Sequence, residues 1–98
     1  MRVVFTRRAL RELNELLAYV SRQDAVTADK MSAAIDARIE ACARNPRFGS
    51  ATDKRNVFRA PISRYRVTVV YRLRPVRDEL EILRVTRGKR IRRRNAPA

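Results

Sequence analysis

Histidine and tryptophan are absent from this 98-residue chain, glycine occurs twice and cysteine once. Each shortage removes a class of chemistry. Without histidine there is no Ser-His-Asp triad, no histidine general base and no histidine metal site. Two isolated glycines, Gly49 and Gly88, cannot build a glycine-rich phosphate loop. A lone Cys42 forms no internal disulfide and supplies no cysteine cluster for a metal, which fits a reducing cytoplasmic setting. No run of 18 apolar residues suggests a membrane span, and Arg7, Arg8, Arg11 and Glu12 interrupt any apolar signal segment near the start. Acidic side chains are also few, 10 against 24 basic ones, for a net charge of +14.

That imbalance is uneven. Residues 1–50 carry 9 basic and 6 acidic side chains, net +3, and residues 51–98 carry 15 and 4, net +11. A basic excess confined to one half is the footprint expected of a protein whose partner is a polyanion. Arginine dominates over lysine, which suits forked recognition of phosphate or carboxylate. The length fits one domain, and 45% hydrophobic residues suffice for one modest core.

Along the chain, Val3-Val4-Phe5 is a short β-prone start and Thr6 a helix N-cap. Leu10, Leu13, Leu17 and Val20, with Ala9 and Leu16, mark one face of a helix over residues 7–21. Asp24 caps a second helix, residues 25–44, whose stripe is Ala28, Met31, Ile35, Ile39 and Cys42 and which Asn45-Pro46 ends. The short link at 22–24 predicts a helical hairpin. Periodicity then changes to two. Residues 56–60 form a strand, and Pro61-Ile62-Ser63 a tight connection. Tyr65, Val67, Val69, Tyr71 and Leu73 alternate with a face that includes Arg66 and Arg72. After a turn at 75–78, residues 79–86 add a strand through Leu80, Ile82, Leu83 and Val85. Gly88 ends it. The expected fold is a two-layer α+β domain, β-α-α-β-β-β, with the hairpin packed on a mainly antiparallel sheet that shows Arg66 and Arg72 on its other side. The domain is expected over residues 1–90, and residues 91–98 as a mobile basic tail.

The side chains available for chemistry are arginine, lysine and tyrosine. Arg59, Arg66 and Arg90 could stabilise the charge that develops when an RNA 2′-hydroxyl attacks its neighbouring phosphate. Moving the protons would fall to Lys89, Tyr65 or Tyr71, because arginine is too basic. Both tyrosines share the apolar face of the long strand, so core packing is the expected role for each. Asp78, Glu79 and Glu81 cluster near a turn and read as edge charges.

This layout carries Pro46-Arg47-Phe48-Gly49, the Arg59 strand, the segment Tyr65 to Arg72, and Ile82-Leu83-Arg84-Val85 running to Gly88-Lys89-Arg90. Together they resemble the ParE/RelE superfamily, the toxins of bacterial type II toxin–antitoxin systems, over residues 1–90. Its RelE-like branch consists of ribosome-dependent mRNA endonucleases. The arginines of that site fall on Arg66 and Arg90, and a basic residue on the preceding strand falls on Arg59. A second lysine of that strand falls on Val57, and the tyrosine or histidine-tyrosine pair expected near the C-terminus is missing after Arg90. The ParE-like branch is similar in its long helical hairpin and its lack of that catalytic set, although many members have a histidine where this chain has Arg87.

The ParE-like resemblance implies a toxin that binds and poisons DNA gyrase without chemistry of its own. The target-binding residues would then be Arg87, Lys89, Arg90, Arg92, Arg93 and Arg94. The alternative is a RelE-like endonuclease acting on ribosome-bound mRNA through Arg59, Arg66 and Arg90. Either branch implies a cytoplasmic protein with no cofactor or metal, paired in a hetero-oligomer with a cognate, acidic, ParD-like antitoxin whose contact face the residues do not indicate. A further alternative outside the toxins is a basic nucleic-acid-binding module, against which stands an aromatic content of 6%.

Overall fold

The computed structural model describes residues 1–88. Strand β1 (Arg2–Phe5) leads into helix α1 (Arg7–Gln23) and helix α2 (Ala25–Arg44); β2 (Ser50–Ala51), β3 (Val57–Ile62), β4 (Val67–Arg74) and β5 (Glu79–Arg87) follow. The strands form one sheet in the order β1-β5-β4-β3-β2. Among the described strands, β1 and β5 run parallel and the other neighbours are antiparallel. The expected two-layer α+β architecture is present, with β2 as an additional short strand at one edge.

Local signals set the helices. The Thr6 hydroxyl accepts the Ala9 N–H at 3.0 Å and caps α1. Asp24 caps α2 through the N–H groups of Val26 and Thr27 and accepts the Thr27 hydroxyl at 2.7 Å, which holds its carboxyl below the ordinary range. No breaker stands at Ser21, so α1 continues two residues beyond the expected end and Asp24 alone separates the helices. The expected stripe of α1 faces the core except at one position: Ala9 and Val20 are buried, Leu13, Leu16 and Leu17 pack beside them, and Leu10 stands exposed.

The core lies between the hairpin and one sheet face. Met31, Ile35, Ile39 and Cys42 of α2 meet Val67, Val69, Tyr71, Leu80, Ile82 and Val85. Full burial of each large aliphatic side chain contributes about 1.5–3 kcal/mol. Cys42 is a small core residue, and burial pushes its thiol pKa up, away from the reactive thiolate.

Two irregularities break the strand patterns. Apolar positions in β5 run Leu80, Ile82, Leu83, Val85, which no period-2 strand can bury on one face. The register shows why: Val70 pairs with Arg84 but Tyr71 pairs with Ile82, so Leu83 is the extra residue of a β-bulge. Leu80, Ile82 and Val85 stay in the core, while Leu83 turns to the other side. The second irregularity corrects the expected start of β4. Strand β3 continues through Pro61 and Ile62, and Ser63–Tyr65 form a 3-10 turn. Arg66 is therefore outside the strand, in the left-handed region at φ 57°. Exposed Pro61 sits beyond the reach of β2, so its missing N–H breaks no ladder.

Candidate interaction surface

Residues alternating with the core set lie on the sheet face that the helices leave uncovered. Across it, Arg59 of β3, Val70 of β4 and Arg84 of β5 are adjacent in register. Arg72 is on this face as expected, but it is not offered freely to a partner. Its guanidinium donates to Glu81 Oε1 at 2.8 and 3.2 Å, and Arg74 donates to the same oxygen at 3.1 Å. These donors, Arg72 first, hold the Glu81 carboxyl below its ordinary range. Arg84 is likewise committed, donating at 2.9 Å to Glu12 Oε2, while the Val85 N–H donates to Glu12 Oε1 at 2.9 Å. Burial works to raise the Glu12 pKa, but the Arg84 and Val85 donors outweigh it and the net shift is downward. Glu12 thus reaches from α1 to the stretch of β5 that β1 no longer covers, since β1 pairs with β5 only as far as Ile82.

Between these pairs lies a cavity of about 600 Å³. Its floor is aliphatic: Val57, Val70 and Leu83. Its rim is cationic, from Arg8, Lys54, Arg59 and Arg84, with Asp53 as the acidic lining residue. Arg8 stands 3.7 Å from Glu12. Among the described residues, neither Lys54 nor Arg59 has an acidic partner at ion-pair distance. The Thr52 hydroxyl builds the rim: it donates to the Val57 carbonyl at 2.9 Å and accepts the Lys54 N–H at 3.1 Å, folding residues 52–57 back on themselves. Asn56 completes that turn at φ 61°. Sequence reasoning missed Arg8, Lys54 and Glu12, which join the face only through the fold. The polar run Thr52 to Asn56 was the one local signal for Lys54.

A second basic cluster forms where the chain leaves β5. Arg66 accepts the Gly88 N–H at its carbonyl at 2.7 Å, Arg87 pairs in register with Val67, and Arg64 stacks 5.5 Å from the Tyr65 ring. Arg66 and Arg87 are therefore brought together. Arg59 is not with them: it pairs with Val70, inside β4, whereas Arg66 stands in the turn before that strand. Lys89, Arg90, Arg92, Arg93 and Arg94 lie outside the described residues. Asn56 and Asp78 are side chains that tolerate the left-handed region, whereas Arg66 is not. Arg66→Gly is accordingly expected to raise the unfolding free energy by about 0.5–1 kcal/mol, measured by urea denaturation. A loss of stability would mean that the Arg66 side chain holds the turn by its own contacts.

The profile of the family described as "ParE toxin of type II toxin-antitoxin system, parDE" matches residues 3–92. The chain belongs to this ParE toxin family. Among solved structures, this ParE-family fold is similar to the chromosomal ParDE toxin–antitoxin system of P. aeruginosa, at 20% identity and a TM-score of 0.73, covering 89% of this chain and 95% of that one. It is also similar to the isolated E. coli RelE toxin, at 15% identity and a TM-score of 0.69, covering 92% of this chain and 86% of that one. The intact E. coli RelBE toxin–antitoxin complex matches at 15% identity and a TM-score of 0.68, covering 91% and 98%. No curated protein sequence matches. Among the described residues, no helix of this ParE-family chain is long and apolar enough to cross a membrane.

Proposed function

We propose that this ParE-family toxin arrests growth by binding DNA gyrase and is silenced by a cognate acidic antitoxin. The observation that carries the reading is the family match, set beside tyrosines that the fold employs away from the cationic face. Tyr71 is fully buried with its hydroxyl committed inside the fold, Tyr65 packs against the core, and Tyr19 lies on α1. The exposed Arg64, Arg66 and Arg87, continued in sequence by Lys89 and Arg90, offer the cationic surface for the target.

Expression without the partner tests this. Accumulated gyrase-linked DNA breaks with intact mRNA are the expected result. Codon-positioned cuts in ribosome-bound mRNA would replace the reading with the endonuclease, and unimpaired growth would remove both toxin readings. Deleting residues 91–98 is expected to leave the thermal melt unchanged while reducing toxicity. A lowered melting temperature would assign those residues to the fold.

A further inference from the structure

We propose that the cavity on the uncovered sheet face seats an acidic segment of the antitoxin, with an aliphatic side chain on Val57, Val70 and Leu83 and flanking carboxylates against Lys54 and Arg59. This inference rests on the toxin–antitoxin reading and adds to it the contact site and the chemistry of the segment.

Three observations converge. The first is the floor. Leu83 stands on this face as the extra residue of the bulge, next to Arg84. Val57 is buried although it stands outside the main core cluster. An aliphatic floor in an otherwise charged face is complementary to an apolar side chain. The lining contains no aromatic residue and leaves a nucleobase only guanidinium planes to stack on, which favours a peptide over a nucleic acid.

The second observation is the distribution of charge. Glu81 and Glu12 already serve Arg72, Arg74 and Arg84, so the face does not neutralise itself at Lys54 and Arg59. Those two cations line the same cavity as the aliphatic floor, where each can receive a carboxylate that flanks an inserted side chain. The third is the start of α1, where Thr6 and Arg8 form part of the wall. The first turn of α1 contains no acidic residue, so the positive end of the helix is left to favour an incoming carboxylate. The volume of about 600 Å³ is within the usual range for a ligand pocket, roughly 300–1,000 Å³, and accommodates a short stretch of side chains.

The test uses the full chain and the antitoxin encoded in the adjoining reading frame, co-expressed, separated and recombined, with affinity read by calorimetry at two salt concentrations. Arg59→Glu is expected to weaken binding at least tenfold and to flatten the salt dependence, and Leu83→Glu to weaken it similarly. Arg77→Glu, an exposed charge reversal in the turn between β4 and β5, is expected to stay within threefold of wild type. Arg59→Glu alters an exposed side chain, so it reports on the site even if Leu83→Glu fails to fold. Equal weakening by Arg59→Glu and Arg77→Glu would show a diffuse charge effect and overturn the proposal, as would wild-type affinity in Arg59→Glu. If Arg59→Glu loses a 12-nucleotide single-stranded RNA that wild type binds yet keeps the antitoxin, the cavity is a nucleic-acid site and the proposal falls. If the adjoining protein does not bind wild type at all, the toxin–antitoxin reading itself fails.

Discussion

Replacing Gly49 with alanine is expected to lower the unfolding free energy by about 3 kcal/mol, at the upper end of what overpacking costs. A Cβ at this position would lie 2.7 Å from the Arg59 carbonyl oxygen and 2.8 Å from the Tyr71 hydroxyl. The first atom is backbone in a paired strand and cannot step aside without moving β3. The second is a ring hydroxyl held by two hydrogen bonds. Gly49 is thus required by close approach, and its own backbone dihedrals play no part. Urea denaturation of Gly49→Ala against wild type measures the loss. A change below about 0.5 kcal/mol would mean that the loop can move outward at little cost. Because the clash is with Arg59, the same variant should also disturb the rim of the cavity.

Raising the pH from 10 to 12 is expected to remove about 2 kcal/mol of stability through Tyr71 alone, at about 1.36 kcal/mol per pKa unit. Burial pushes this phenol up to about 12 from an ordinary value of 10. The Gly49 N–H, donating to it at 3.0 Å, pulls the other way, and the neighbouring Cys42 thiol adds to the rise. The folded protein therefore holds the phenol proton more tightly than the unfolded chain. The contribution is fully present below pH 10 and is lost as the pH climbs through 12.

That proton is in use. The hydroxyl donates to the Pro46 carbonyl at 2.8 Å, and the ring stacks on Phe58 with centroids 5.5 Å apart. Tyr71→Phe should cost about 1–3 kcal/mol at neutral pH, because the Pro46 carbonyl and the Gly49 N–H lose their partner. It should then lose less than wild type between pH 10 and 12, so the two stability curves converge. Parallel curves would show that another group governs alkaline unfolding.

How much of this was legible depends on how far apart the interacting residues are in the chain. The ends of α2 were readable because Asp24 and Asn45-Pro46 act within one turn of where they stand. The long apolar stripe of β4 was readable because period two needs no knowledge of the neighbours. Arg66 was misplaced for the same reason: Tyr65 and Arg66 continue the alternation of β4 in phase, so nothing local marks the turn that separates them from it. The cation face was half legible. Arg59 was found, but the pairing of Arg72 and Arg74 with Glu81 depends on register, and Glu12 reaches Arg84 from 72 residues away. Arginines that read as one basic surface therefore divide into those that hold the sheet together and those left for a partner.

The parallel pairing of β1 with β5 has a consequence for synthesis. Arg2 to Phe5 find their partners only at Glu79 to Ile82. The strand that receives β1, β4 and the Glu12 carboxylate is the last described element of the chain. A nascent chain emerging N-terminus first can form its helical hairpin early, but it has nothing on which to close the sheet until β5 has been made. A product interrupted before Ile82 lacks the strand that joins both ends of the fold, together with Leu83, Arg84 and Arg87. The order of the strands therefore makes synthesis through β5 a precondition for a working surface.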